Sequence, residues 1–494
     1  VKIAIAKNAG FCFGVRSAVI RVSEILGNQS PLYIDGQIIH NPDIVKALED
    51  RGLVNAQNGP PPQGSTVVIR THGTLYRSLK DLIHAGHKVI NLTCPKVGRI
   101  QGIIRKHIRN GYHIVITGDP DHPEVRSLSS YAGGNYTVIS SSDQIDLVPF
   151  SPKILLLSQT TFDHTAFEVI SSAFRNKFPG IEIINTICDS TSNRQREIEE
   201  APSNGFDTVV VAGGKKSANT ESLARIAEKH GIKAIRAESE KDIRADMFSS
   251  SENILISAGA STPAWIIDGI LNRLFIIRLT RLHVPAFIRF LYFIIASKKA
   301  AGLSAGLFTA ALSLIIGKEF TDNGALFVTA SAASIIFIYG IGIVFSEKNA
   351  FFRRYYQPAV PVLSFAALFL SASGADDMRL KLAYAAIGAC GVLSVLIAEN
   401  ILDHEKNIIF GVRTFVTFLG IKAAGILELL AALCSGTAAL FLFDSVSLAT
   451  AVGASAIVAA SLIACRPLFI SKIRFLFFLI NALFFSITLV QILK

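Results

Sequence analysis

Two hydropathy patterns divide the chain. From Lys2 to about Leu274, short apolar runs rich in β-branched residues alternate with longer stretches whose apolar positions recur at helical spacing. Runs such as Ile3 to Ala6, Leu32 to Asp35, Thr66 to Ile69, Val89 to Leu92, Ile114 to Thr117 and Ile181 to Asn185 read as strands followed by helices, the pattern of an α/β protein. After about Ala300 the chain becomes a series of apolar blocks near bilayer-spanning length. They run over 300–317, 324–345, 359–372, 382–398, 424–443, 445–465 and 475–493, which predicts seven crossings of an all-α membrane domain. Between the halves, Leu282 to Ala296 is amphipathic and basic at both ends, as expected of a segment lying in the membrane interface. The expected domains are 1–275, a connector over 276–299, and a membrane domain over 300–494.

Charge sharpens this picture. The 494 residues carry 48 Lys and Arg against 37 Asp and Glu, a net charge of +11. No dense basic stripe with interleaved aromatics accompanies it, which argues against nucleic acid as a partner. The basic residues fall instead in alternate loops of the apolar half: Lys298 and Lys299, then Lys348, Arg353 and Arg354, then Lys406 and Arg413, then Arg466, Lys472 and Arg474. By the positive-inside rule these loops are cytoplasmic, and so is the first half. The expectation is a multi-pass protein of the inner (cytoplasmic) membrane in contact with lipid.

Three of the six cysteines occupy equivalent places. Cys12 in Gly10-Phe11-Cys12-Phe13-Gly14, Cys94 in Thr93-Cys94-Pro95 and Cys188 in Thr186-Ile187-Cys188-Asp189 each stand between a strand end and a helix start. The unpaired N–H groups of a first helical turn favour a thiolate, so lowered thiol pKa values are expected there. Three thiolates leave a metal ion or cluster one ligand short, an arrangement suited to a substrate-binding position. Cys390, Cys434 and Cys465 lie within apolar blocks and read as packing residues. No C-x-x-C pair or closely spaced cysteine framework appears, consistent with a reducing compartment.

Polar groups gather at other strand ends: His40-Asn41, Thr71-His72-Gly73, His122-Pro123-Glu124-Val125, Ser158-Gln159-Thr160-Thr161, Ser217-Ala218-Asn219 and Ala258 to Pro263. In open α/β architecture, ligands bind outside the carboxyl ends of strands, where loop amides and helix N-termini hold anions. Three His, two Ser and an Asn there suit a diphosphate, although each type also serves as a helix cap. Glu124, flanked by apolar residues, is the natural proton donor. No G-x-G-x-x-G fingerprint or P-loop occurs; Gly213-Gly214-Lys215-Lys216 fits neither spacing, so nicotinamide, flavin and ATP chemistry lack support.

Taken in order, these motifs make the first 275 or so residues resemble 4-hydroxy-3-methylbut-2-enyl diphosphate reductase, the last enzyme of the methylerythritol phosphate route to isoprenoids. Thr191 to Gln195 and the motifs around Cys12, Cys94 and Cys188 extend the match. The resemblance implies three α/β subdomains around a central [4Fe-4S] cluster held by Cys12, Cys94 and Cys188. It implies reduction of (E)-4-hydroxy-3-methylbut-2-enyl diphosphate to isopentenyl and dimethylallyl diphosphate, with Glu124 giving a proton and Thr160 ordering the hydroxyl. His40, His72, His122, Ser217, Ala218, Asn219 and Ser261 would contact the diphosphate, and an electron donor such as ferredoxin or flavodoxin would supply the electrons. Ala218 departs from the family, where a second serine is common; a backbone N–H can replace that hydroxyl.

A second resemblance is confined to the apolar half. Glu399 to Asn407 followed by Gly411 to Thr414 looks like the second acidic motif of intramembrane prenyltransferases, which hold a prenyl diphosphate through Mg²⁺ on two Asp-rich loops. The counterpart of the first loop, Ser346 to Pro358, offers only the carboxylate of Glu347, and the span count falls short of that family's by about one helix pair. A bifunctional protein whose membrane half also transfers prenyl groups is thus the alternative reading, with an inactive anchor the expectation.

Overall fold

The computed structural model describes residues 2–39, 41–214, 217–248, 253–281 and 403–412, together with Thr417, Ala424 and Ile426. The chain divides into two units, Val1–Leu274 and Phe275–Lys494.

The described part of the first unit holds three four-stranded parallel sheets. Module 1 contains β2 (Leu32–Asp35), β3 (Leu53–Asn55), β4 (Thr66–Ile69) and β5 (Lys88–Asn91), in the order β3-β2-β4-β5. Module 2 repeats that order with β6 (His113–Thr117), β7 (Tyr136–Ile139), β8 (Ile154–Ser158) and β9 (Glu182–Ile183), as β7-β6-β8-β9. Module 3 is β11-β10-β12-β1, built from β10 (Thr208–Ala212), β11 (Lys233–Ala237), β12 (Ile254–Ala258) and, in the fourth place, the first strand of the chain, β1 (Ile3–Ile5). Each module therefore has the strand order 2-1-3-4, and β1 closes the third by pairing with β12 from Ile3–Ile254 to Ile5–Ile256. Strands β4, β6, β8, β10 and β12 are buried along their whole length, as their largely apolar runs require, whereas the outer strands are mixed.

The helix after each fourth strand leaves its own sheet for the next module. Helix α4 (Pro95–Arg109) follows β5 of module 1, yet Val97, Ile100 and Ile104, at helical spacing, pack on Ile114, Ile116, Leu155 and Leu157 of module 2. Helix α7 (Asp189–Glu199) follows β9, and its Ile198 joins Val209, Val211 and Leu223 in the core of module 3. Helix α1 (Phe13–Asn28) follows β1, and its Ser23 carbonyl accepts a 2.6 Å hydrogen bond from Arg51 of module 1. Three crossings between modules thus place the first turns of α1, α4 and α7 together. Each fully buried Ile or Val contributes about 1.5–3 kcal/mol to this arrangement.

The remaining helices that begin in this unit are α2 (Pro42–Glu49), α3 (Tyr76–His84), α5 (Pro123–Ser130), α6 (His164–Lys177), α8 (Ala218–Lys229) and α9 (Ala264–Arg281). The expected domain edge at 275 falls within α9, which continues to Arg281. The expected strand Ile181 to Asn185 is reduced to two residues, because only Glu182 and Ile183 pair with β8. In the second unit, α10 (His404–Ile409) is described, closed by Gly411 at φ +66. No helix among the described residues is long and apolar enough to cross a membrane. Apart from Ala424 and Ile426, the predicted spans lie outside the described residues, as do the segment Leu282 to Ala296, Glu347, Cys390, Cys434 and Cys465.

Candidate functional site

Cys12, Cys94 and Cys188 are the N-cap residues of α1, α4 and α7, and none of their sulfurs caps its helix by a side-chain hydrogen bond. The thiols are free and only partly buried. Their backbone N–H groups are held alike: Cys94 donates to Thr71 O at 2.9 Å, Cys188 to Thr160 O at 2.9 Å and Cys12 to Ala260 O at 3.0 Å. Thr71, Thr160 and Ala260 each stand two residues beyond the third strand of their module. One equivalent hydrogen bond per module therefore ties a cysteine to a strand-end loop carrying polar residues.

The thiols face a common space. A Cβ built on Gly14, in the first turn of α1, would lie 2.7 Å from Cys94 Sγ, so only glycine lets that turn approach the sulfur. Burial pushes the Cys94 thiol above its usual pKa, the N–H groups of Lys96 and Val97 pull it down, and the charges of Cys12 and Cys188 raise it again. The expected depression by the helix start therefore fails at Cys94, because desolvation and two neighbouring sulfurs outweigh two amides. Among the described residues no group of His, Cys, Asp and Glu converges tightly enough for a single metal ion. Three soft sulfurs at equivalent helix starts, with the Gly14 turn close against Cys94 Sγ, suit an iron–sulfur group.

The other polar residues sit where the strand order reverses, between the first and third strands of each module, the ligand-binding position of open α/β sheets. Gly36, Gly118 and Gly213 each follow the first strand, and at each a side chain would strike the facing loop. A Cβ on Gly36 would come 2.6 Å from Arg70 Nη1, one on Gly118 2.9 Å from Gln159 Oε1, and one on Gly213 3.1 Å from Thr262 Oγ1. Glycine at each place lets the end of the first strand approach its neighbours this closely.

Between the ends of β6 and β8 lies a buried carboxylate. Glu124 is 1 % exposed. Thr160 donates to it twice, from its N–H to Oε1 at 2.7 Å and from its hydroxyl to Oε2 at 2.6 Å. Burial raises the carboxyl pKa and these two hydrogen bonds lower it; burial prevails. Glu124 is thus a carboxylic acid that stays protonated to higher pH than an exposed one. Its own N–H donates to His122 Nδ1 at 3.1 Å, and His122 meets the His72 ring edge-on with centroids 5.3 Å apart, joining modules 1 and 2. The Cys188 loop is stapled to the same place: Thr186 Oγ1 accepts from Ser158 N–H at 2.8 Å and donates to Ser158 O at 2.5 Å.

In module 3, Ser217 caps α8 by accepting from Thr220 N–H, and Asn219 stands in the first turn. Asn219 Nδ2, Thr220 Oγ1 and, in module 1, Thr71 Oγ1 are buried without hydrogen-bond partners, as groups that await a polar ligand would be. Ser261 is half-buried beside Ala260, and so next to the Cys12 tether. Asn41 caps α2 by accepting from Ile44 N–H. Asn41, His122 and Ser217 therefore all act as helix caps within the crevices. His40 and the side chain of Ala218 lie outside the described residues.

A family model described as LytB protein matches residues 3–275. The chain belongs to the LytB protein family. A LytB relative from Anaeromyxobacter sp. (strain Fw109-5), named 4-hydroxy-3-methylbut-2-enyl diphosphate reductase, is 36 % identical over 272 residues, 55 % of this chain and 95 % of the relative. A protein of the same name from Caldanaerobacter subterraneus subsp. tengcongensis is 35 % identical over 279 residues, 56 % of this chain and 96 % of its own. The structure of the E-1-hydroxy-2-methyl-but-2-enyl-4-diphosphate reductase from Plasmodium falciparum shares the fold, with a TM-score of 0.53 at 24 % identity over 55 % of this chain and 87 % of that one. All three likenesses are confined to about half of the chain. The LytB family implies a [4Fe-4S] cluster, which the three helix-start thiols suit.

Arg194 and Gln195 belong to the Thr191 to Gln195 motif, in which the sequence alone assigns them no task. Gln195 accepts from His164 N–H at 3.3 Å and donates to Phe162 O at 3.2 Å, bracing the loop that begins at Thr160. Arg70, two residues before His72, is the other omission: it packs against Gly36 and within the fields of Asp35 and Arg126. Its position beside the Thr71-His72-Gly73 motif was the available signal.

Proposed function

We propose that the LytB unit removes the 4-hydroxyl group of (E)-4-hydroxy-3-methylbut-2-enyl diphosphate, taking up two electrons and two protons and releasing water with isopentenyl or dimethylallyl diphosphate. The observation that carries this reading is the buried Glu124–Thr160 pair, joined through the Thr160 carbonyl to the N–H of Cys188. Cys12, Cys94 and Cys188 would hold a [4Fe-4S] cluster, which when bound supplies the electrons and a Lewis-acidic position for the hydroxyl. Glu124 stores the proton. While it is protonated, its Oε2–H can donate to Thr160 Oγ1, and the Thr160 hydroxyl is then free to donate to the departing oxygen. The pair thereby delivers a proton as the C–O bond breaks and charge develops on that oxygen. His72, His122, Ser217, Asn219 and Ser261 surround the three crevices with donors for the diphosphate, and His40 and the backbone at Ala218 complete the set. An external carrier such as ferredoxin or flavodoxin would supply electrons.

The apolar blocks after Ala300 and their alternating basic loops support a multi-pass anchor in the inner membrane, with the LytB unit on the cytoplasmic side. Prenyl transfer by this half has weaker support, since Mg²⁺ needs several oxygen ligands and the Ser346 to Pro358 loop supplies one carboxylate. The deciding experiment incubates anaerobically purified full-length protein with the allylic diphosphate and a chemical one-electron reductant. Formation of the two five-carbon diphosphates is expected; unchanged substrate with an intact iron–sulfur signal would refute the reading.

A further inference from the structure

Helix α7 reaches from the Cys188 loop to the Cys12 loop through Arg194 and Glu197. Arg194 is 2 % exposed. Its Nη2 donates to Gly10 O at 2.7 Å, two residues before Cys12 and across 184 residues of sequence. Its Nη1 donates to Ser190 O at 2.8 Å and contacts Ser190 Oγ, two residues after Cys188. Glu197, one turn further along α7, braces the same loop by accepting from Asn8 N–H at 3.2 Å and from Asn8 Nδ2 at 2.7 Å. The guanidinium Nε is buried without a hydrogen-bond partner. Burying a cation in this way is costly unless negative charge stands nearby.

The Cys12 and Cys188 sulfurs and the Glu197 carboxylate supply that charge: burial disfavours the guanidinium's charged form, and these three groups favour it. A thiolate-held cluster gains one negative charge with each electron it accepts, so a fixed buried cation beside two of its sulfurs favours reduction. A guanidinium suits this duty better than an ammonium, since its planar fork bonds two carbonyls at once and keeps its proton.

We propose that Arg194 is a positioning residue that bridges the Cys12 and Cys188 loops and sets the reduction potential of the group those cysteines hold. This rests on the iron–sulfur reading of the three thiols given above. The test compares full-length wild-type, R194K and R194Q proteins, purified anaerobically and supplied with ferrous iron and sulfide. Two quantities are read: the midpoint potential, by redox titration followed by electron paramagnetic resonance, and the rate of iron loss to a chelator. R194Q, which removes the charge and most of the bridge, should shift the potential negative and release iron roughly 10–100-fold faster. R194K keeps the charge but not the fork, so it should hold a near-normal potential while releasing iron faster than wild type.

A merely structural role would speed iron loss in both variants and leave both potentials unmoved, and that result overturns the electrostatic assignment. If R194Q does not fold, R194M takes its place as the uncharged variant: a potential shifted negative with faster iron loss supports the assignment, and a wild-type potential overturns it. A wild-type chain that takes up no cluster refutes the iron–sulfur reading and this assignment together. A normal wild-type cluster with wild-type behaviour in R194Q overturns this assignment alone.

Discussion

Replacing Glu124 with Gln isolates the proton from everything else the side chain does. Glu124 accepts from Thr160 N–H at 2.7 Å and pairs with Thr160 Oγ1 at 2.6 Å, and both side chains are buried. A Gln amide can accept the first hydrogen bond with its oxygen and donate the second from its nitrogen, so packing and the Cys188 tether survive. An alanine would leave the Thr160 N–H and hydroxyl buried and unpaired, at about 1–3 kcal/mol each. The Gln variant should therefore bind substrate normally and lose turnover by roughly 10²–10⁴-fold, about 2.7–5.4 kcal/mol of barrier. Single-turnover measurements under anaerobic reduction separate the two effects. The pH dependence supplies a second test. Burial raises the Glu124 pKa above its usual 4.5. The wild-type rate should fall as pH rises through that raised value, and the residual rate of the Gln variant should lack this limb. Stability follows the same sign: the neutral acid's contribution is fully present below about pH 4.5 and is lost above the raised value, so the Gln variant should gain on wild type with increasing pH. Near-normal turnover in the Gln variant, or a matching alkaline limb in it, would refute the assignment.

Thr160→Val keeps the N–H but removes the hydroxyl that holds Glu124 acidic, so turnover should fall and the alkaline limb, read from a pH–rate profile, should move upward. Gly14→Ala places a methyl 2.7 Å from Cys94 Sγ. Although alanine normally favours a helix by about 1 kcal/mol over glycine, iron content after anaerobic reconstitution should drop. Ile104→Ala empties a fully buried position that seats α4 on module 2 and should cost about 2–5 kcal/mol, measured by denaturant unfolding of the cluster-free protein.

The α/β character, most of the central strands and the placing of three cysteines at helix starts were legible because they depend on local pattern. A β-branched run followed by a thiol and a helical period carries its meaning within about fifteen residues. The strand order was not, because β1 completes module 3 by pairing with β12 some 250 residues later, and no local signal announces such a partner. The same distance hid Arg194, whose acceptor at Gly10 lies 184 residues away. The thiol pKa expectation failed at Cys94 for a related reason: the helix start is local, whereas burial and the neighbouring sulfurs belong to the assembled modules. His122, Asn41 and Ser217 show that capping and a place in a ligand crevice coincide, since a helix N-terminus at a strand end serves both.

Central to the proposed activity is one iron–sulfur cluster held jointly by Cys12, Cys94 and Cys188 with a position left open. Iron and acid-labile sulfide analysis of anaerobically purified full-length protein, with each of these cysteines changed singly to Ser alongside wild type, tests that claim most directly. About four iron and four sulfide per wild-type chain are expected, with strong loss in all three variants. A colourless wild-type protein carrying stoichiometric zinc, or a cluster indifferent to any one of the three substitutions, would contradict it.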